Sequence, residues 1–342
     1  MLSRAGPTRV ADCKLRFVSS ICRCVPDKTE SRLWVVAAER IVVAGGSGFL
    51  GRALVEELNR DNTEVVILTR SPRATSDPMR LDVRWDGATL DAWASELDGA
   101  RAVVNLTGRN VDCRHTKANR RRILESRVDS VRVIGEAIAR AKDPPSVWVQ
   151  ASALAIYGDP TEETDEDSPQ GEGFLADVCK EWEREFNESV TPDTRKVALR
   201  IGLVIGPGGG ALPRLSGPAR VWLGGTVGRG DQYVSWLHIA DLNAIIRAAI
   251  EHESYRGVYN ATAPTPVPNR EFMRALRSAL GRRWGLPMPS AAVQVGTVFM
   301  RTEASLALTG RRCVPQRLAE QGFQFQWREL EPALRDVLAQ QR

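Results

Sequence analysis

Histidine is nearly missing from this chain: His115, His238 and His252 are the only three in 342 residues. The six cysteines, Cys13, Cys22, Cys24, Cys113, Cys179 and Cys313, are scattered and form no CxxC pair. A zinc site needs thiolate or imidazole ligands in clusters, so no metal centre is expected, and dispersed thiols fit a reducing compartment, here the cytoplasm. Long apolar runs are missing too. No segment approaches the ~18 residues that span a bilayer, which predicts a soluble protein without a membrane partner.

A basic surplus is absent from most of the chain despite a net charge of +5. Residues 1–40 hold eight Lys or Arg against four acids, which leaves 39 basic and 38 acidic residues in the remainder. A nearly neutral body argues against a nucleic-acid groove or an anionic surface as its main partner. The first segment lacks periodicity. Its Leu15 to Val25 stretch is interrupted by Arg16 and Arg23, which suits a secretory signal poorly, and four acids count against a transit peptide. The expected reading is a disordered extension over 1–39, or sequence upstream of a start near residue 39.

What is present begins at Ile41. Ile41, Val42 and Val43 read as a buried strand, and Gly45, Gly48 and Gly51 follow it with the spacing GxxGxxG. Phe49, Leu50, Ala53, Leu54 and Leu58 then recur at helical intervals, so the turn opens a helix whose apolar face packs back on the strand. Glycines here permit a tight turn, close approach of a pyrophosphate and close helix packing, while the helix N-terminus offers free N–H groups to an anion. A dinucleotide is the expected ligand, with Gly45, Ser47, Gly48, Phe49, Leu50 and Gly51 as its cradle.

Glu64 to Leu68 makes a second strand and completes a βαβ unit. NAD-preferring folds of this kind place an acid at the end of this strand; here Thr69 and Arg70 stand there. A guanidinium suits a 2′-phosphate in charge and geometry, so NADP(H) is favoured over NAD(H), with Arg70 as the discriminating residue. Further strands are expected at Leu81–Trp85, at Ala102–Leu106, ending in Thr107-Gly108, at Val147–Ala151 and at Val197–Ile205. Asn105, Leu106, Thr107 and Gly108 join the cofactor set because ligands sit at the carboxyl ends of strands in such sheets. Long helices are expected over Lys117–Ala141 and around Phe174, Val178, Trp182 and Phe186. Trp236–Asp241 leads into another helix, Asn269 caps one reaching Leu280, and Leu330–Ala339 ends the chain.

The fold class expected is therefore α/β, a Rossmann-type doubly wound parallel sheet with a smaller C-terminal substrate region. Residues 40–205 form the NADP-binding domain, with 238–262 packing onto it, and residues 206–342 the substrate side.

These residues together resemble an extended short-chain dehydrogenase/reductase of the atypical epimerase-like branch. The resemblance covers about residues 40–340. It rests on Gly-Gly-Ser-Gly-Phe-Leu-Gly at 45–51, Asn105 to Gly108, Ser126-Arg127-Val128, Phe174-Leu175-Ala176 with Lys180 and Trp182-Glu183, Gly208 to Ala211, Trp236 to Asp241, and Gly310-Arg311-Arg312. It implies an oxidoreductase or epimerase acting on a small, nucleotide-sugar-like molecule. It also implies a Ser, a Tyr and a Lys four residues after the Tyr as catalytic groups, the Tyr moving the hydroxyl proton.

Lys180 matches the Lys, but Ala176 stands where the Tyr belongs, and Ala153 falls at the Ser position with Ser152 beside it. Tyr157, Lys180 and Ser152 are thus the catalytic candidates in a degenerate triad. The competing reading is a non-catalytic NADP(H)-binding sensor or scaffold. The sequence leaves the oligomeric state open, a homodimer included.

Overall fold

The computed structural model describes residues 39–60, 63–294 and 303–341. The described residues belong to one compact unit that begins at Glu39. The extension expected over 1–39 lies, but for Glu39, outside the described residues.

Seven parallel strands form the central sheet: β1 Arg40–Ala44, β2 Glu64–Thr69, β3 Arg80–Arg84, β4 Ala102–Asn105, β5 Val147–Ala153, β7 Arg195–Ile201 and β11 Gly257–Ala261, in the order β11-β7-β5-β4-β1-β2-β3. Side chains alternate across it. Ile41 and Val43 of β1 join one core with Leu54, Val55 and Leu58 of α1 (Phe49–Arg60) and Leu242, Ile245 and Ile246 of α5 (Ile239–Glu251). Val42 and Ala44 join the other with Val131 and Ile134 of α2 (Lys117–Arg140) and Trp182 and Phe186 of α3 (Phe174–Glu188). A strand buried on both faces must be apolar at every position, which is why these segments read as continuous Val/Ile runs.

The chain leaves β1 toward β2 and β3, then returns to β4 on the other side of β1. Ala44 pairs with Asn105 at the carboxyl ends of β1 and β4. This is the switch point at which open sheets of this type leave a crevice.

Two elements differ from the sequence reading. Val197–Ile205 is not one strand. It breaks at Gly202, after which β8 (Leu203–Ile205) pairs with β10 (Trp236–His238) in a separate two-stranded sheet; β6 (Glu163–Thr164) and β9 (Tyr233–Val234) are two-residue strands outside both sheets. A Cβ at Gly202 would come within 2.5 Å of Ser235 O, so only glycine lets the two chains cross there.

Asn269 does not cap α6 (Asn269–Ala279). The residue before the helix is Pro268, and the buried Asn269 side chain instead accepts a hydrogen bond from Val227 N at 2.9 Å. Periodicity cannot distinguish a cap from a loop clamp when the acceptor's partner is 42 residues away.

A third core lies beyond the sheet. Leu212 and Ala219 of α4 (Leu212–Arg220) pack with Phe272, Met273 and Leu276 of α6 and with Leu334, Val337 and Leu338 of the helix Leu330–Ala339. Among the described residues no helix is long and apolar enough to cross a membrane, and no group of His, Cys, Asp and Glu could hold a metal ion.

Candidate dinucleotide and substrate site

The glycine turn is held by its own backbone and by the neighbouring strand. Gly45 has φ 79°, and a Cβ there would come within 3.0 Å of Leu106 C. A Cβ at Gly51 would lie 2.3 Å from Gly45 O, so the helix can start this close to the turn only without a side chain. Ser47 is exposed, and its Oγ lies 3.3 Å from Thr69 Oγ1.

Across the crevice Leu106 N donates to Ala44 O, and Thr107 N donates to Asn105 Oδ1. Asn105 is wholly buried, its amide donating to Ser130 Oγ and Gln150 Oε1. It therefore shapes the Leu106-Thr107 turn from beneath. Thr107 Oγ1 is buried with no hydrogen-bond partner among the described residues.

A backbone cradle that side chains would fill, a helix N-terminus and an unpartnered hydroxyl together fit a dinucleotide. Arg70 stands exposed after β2, and its guanidinium makes no hydrogen bond or ion pair among the described residues.

The three catalytic candidates do not form one constellation. Ser152 is 3% exposed and its hydroxyl donates to Glu183 Oε1 at 2.6 Å. Tyr157 is 2% exposed; its hydroxyl donates to Asn260 Oδ1 at 2.9 Å and accepts from Arg200 Nη1 at 2.6 Å. Arg200 in turn grips Glu183 through Nε at 2.9 Å and Nη2 at 2.8 Å. Glu166 extends the network by accepting from Asn260 N and Arg317 N.

Burial pushes the Tyr157 phenol up to about 12, Arg200 only partly opposing it. A phenol in that state, with both its polar functions already used, is a poor proton donor to a ligand. Burial works against the Arg200 charge as well, but Glu183 outweighs it and holds that pKa above its ordinary value. Lys180, on α3, is one third exposed, with Nζ 3.6 Å from Asp177 Oδ1. Ala176 is buried and brings no proton.

His238 Nδ1 accepts from Ala240 N, while its buried Nε2 makes no hydrogen bond among the described residues and lies 3.3 Å from Asp336 Oδ2.

The buried network was not anticipated, although one signal was available. Arg200 interrupts the apolar run of β7, and a charge in a strand covered on both faces must find a partner.

Tyr157→Phe is accordingly expected to lower the melting temperature, because Asn260 and Arg200 each lose a buried partner at a cost of about 1–3 kcal/mol. NADPH affinity should stay unchanged. A variant with wild-type stability would show that the hydroxyl contributes nothing to the network.

On the side of α3 facing the end of β5, burial pushes the Cys179 thiol up to about 11. The guanidinium groups of Arg127 and Arg311 both act electrostatically on that thiol.

Comparison with known proteins agrees with this geometry. Residues 41–261 match the NAD dependent epimerase/dehydratase family, and residues 288–337 match a domain of unknown function, DUF1731. The chain is 37% identical over 305 residues to the human epimerase family protein SDR39U1, covering 88% of this chain and 100% of that protein. It is 35% identical over 306 residues to the chloroplastic SDR39U1 homologue of Arabidopsis thaliana, covering 87% and 86%. The crystal structure of human SDR39U1 isoform 2 with NADPH superposes with a TM-score of 0.79 at 36% identity, covering 88% of this chain and 99% of that one. With the doubly wound sheet, the glycine cradle at its switch point and a match spanning most of the chain, this protein belongs to the NAD dependent epimerase/dehydratase family.

Proposed function

We propose that the protein binds NADP(H) at the β1–β4 crevice and acts on a small molecule as an oxidoreductase or epimerase that does not use the family's tyrosine. The observation that carries this reading is the cradle itself: Gly45 and Gly51 without room for a side chain, with Arg70 after β2 unpartnered among the described residues. Human SDR39U1, similar over most of this chain, was crystallised with NADPH, which supports the same assignment. The backbone N–H groups at the start of α1 would face the pyrophosphate, and Arg70 the 2′-phosphate. When bound, the nicotinamide supplies hydride chemistry.

Lys180 is assigned to orient the bound ribose. Tyr157 and Ser152 are assigned to structure, because their hydroxyls serve the Glu183–Arg200 pair. A cytoplasmic, reducing location is supported by Cys113, Cys179 and Cys313, all free thiols.

The second reading, a cofactor-sensing protein without turnover, is favoured by Ala176 and by the sealed phenol. Mixing the NADPH-loaded protein with a panel of carbonyl compounds and nucleotide sugars separates the two. Oxidation of NADPH, or conversion of a nucleotide sugar to its epimer by the NADP⁺-loaded protein, supports the enzyme, and neither across the panel supports the sensor.

The cofactor assignment has its own test. Arg70→Ala removes one charge-assisted contact, which contributes on the order of 1.5–3 kcal/mol, so NADPH affinity should fall roughly ten- to hundredfold with NADH affinity nearly unchanged. Equal losses for both cofactors in calorimetry would place Arg70 in the fold rather than on the phosphate.

A further inference from the structure

The body of the chain is nearly neutral, but its charges are unevenly spread. No Asp or Glu stands between Asp193 and Asp231 or between Glu271 and Glu303. These two acid-free stretches meet just past the ends of α4 and α6, where Gly225 N donates to Leu286 O at 2.9 Å and Leu286 N to Trp222 O at 2.8 Å. Apolar side chains gather at the same place. Of the six large hydrophobic residues exposed among the described ones, four, Val221, Leu223, Trp284 and Leu286, stand on these two loops.

The Trp284 ring is 55% exposed and stacks on Trp222 with centroids 4.9 Å apart. Trp222 has φ 68°, the one left-handed backbone among the described residues that is not at a glycine, and such a conformation is unfavourable for a bulky side chain. The bonds that join the loops hold it there. A stacked pair of rings is thus fixed at the surface.

Arginines adjoin the rings. Arg274, Arg277, Ser278, Gly281, Arg282 and Arg283 line a cleft of about 380 Å³. Arg282 lies over the Trp222 ring, 4.9 Å from its centroid, and Arg277 Nη1 donates to Gly224 O at 2.7 Å, so the cleft and the aromatic pair form one surface. The Nε atoms of Arg277 and Arg282 are buried without partners, and Arg283 makes no hydrogen bond or ion pair among the described residues. Glu331 reaches the cleft at Ser278 and acts on Arg274, but Arg335 Nη2 already holds its carboxylate at 2.6 Å.

Tryptophan and arginine carry most of the energy at protein interfaces, and arginine clusters recognise acidic segments. Other occupants fit this surface less well. α6 turns Phe272, Met273 and Leu276 into the core, which leaves it no apolar face for a bilayer, and a flat array of headgroups does not enter a cleft. A nucleic-acid strand needs successive stacking platforms, whereas one pair stands here. A second copy brings the same positive charge, and residues 1–38 hold seven basic side chains against three acidic ones. Four exposed side chains and one cleft are less than a standard interface between folded proteins, which suits a short segment.

We propose that this surface docks a short acidic segment of another protein, with an apolar side chain laid on Trp284 and carboxylates entering the arginine cleft. The planar fork of an arginine matches a carboxylate, which is why the cleft takes acids.

The test titrates the full-length protein into a fluorescently labelled random copolymer of glutamate and tyrosine and follows its anisotropy. Labelled polyglutamate and labelled oligothymidylate are measured in the same way, and vesicles of phosphatidylglycerol by co-sedimentation. Saturable binding of the copolymer is expected, tighter than that of polyglutamate and weaker as salt rises. Trp284→Ala and Arg283→Glu should each weaken it at least about tenfold, with NADPH affinity unchanged. Arg283 is exposed and unpartnered, so its variant decides the matter even if Trp284→Ala does not fold. The proposal is overturned if the copolymer does not saturate, or if either folded variant binds it as wild type does. It is equally overturned if oligothymidylate or the vesicles bind more tightly than the copolymer through the same two residues, because the patch would then serve a nucleic acid or a membrane.

Discussion

Gly45→Val is expected to lower NADPH affinity by about 10² to 10⁴ while leaving the rest of the sheet intact. Gly45 sits at φ 79°, a left-handed conformation that a β-branched residue adopts only at a cost of roughly 1–2 kcal/mol. Its new Cβ would meet Leu106 C at 3.0 Å and Leu106 O and Thr107 N at 3.1 Å, all backbone atoms that cannot swing aside. The turn and the Leu106-Thr107 segment must separate, which moves the start of α1 and the Thr107 hydroxyl apart at the proposed cofactor site. Two charge-assisted contacts at about 1.5–3 kcal/mol each give the stated range. Gly48→Ala is the milder comparison, since its Cβ would touch only Gly45 O, at 3.2 Å. Calorimetric titration decides the matter. A Gly45→Val protein that binds NADPH within threefold of wild type would show that the glycine turn is not the cradle.

Glu183→Ala should produce the largest loss of stability of any single change at the site. It strips Arg200 of both carboxylate contacts and Ser152 of its acceptor, leaving a buried guanidinium whose remaining partners are the Tyr157 hydroxyl and the Glu166 carbonyl. Breaking a buried pair by removing one member costs about 3–5 kcal/mol. For a chain of this size that is a fall in melting temperature of roughly 10 °C.

The contribution is that of a whole pair and not of one acid, so Glu183→Leu with Arg200→Met should be more stable than Glu183→Ala alone, because apolar replacement of both members removes the stranded charge. Scanning calorimetry of the single and double variants distinguishes the two accounts. If Glu183→Ala melts with wild type, the pair is not a structural support and Ser152 is free for other work.

Tyr157 shows why the catalytic assignment was harder than the fold. In the sequence it is a tyrosine at the end of a strand, near Ser152, and on those grounds it is a reasonable substitute acid. Its hydroxyl nevertheless bonds to Asn260, 103 positions away, and to Arg200, 43 away. Nothing local distinguishes a phenol that faces a ligand from one that closes a buried network.

What the sequence determined by itself is whatever follows from short-range repetition. The Ile-Val-Val run, the glycine spacing and the helical recurrence after Phe49 specify a strand, a turn and an amphipathic helix, because each depends on residues a few positions apart. Alternation of buried faces along β1, β2 and β4 then demands helices on both sides, and the order of the elements makes the sheet parallel and doubly wound. The tertiary structure alone decided how polar groups pair.

Gly202 carries the chain from one sheet to another because Ser235 crosses beside it. Asn269 clamps Val227 instead of capping its helix, and Glu183 takes the charge of Arg200. The physical reason is common to all of these. A hydrogen bond or an ion pair is specified by distance and angle at a few ångströms, and those are set by which distant segments the apolar core brings together.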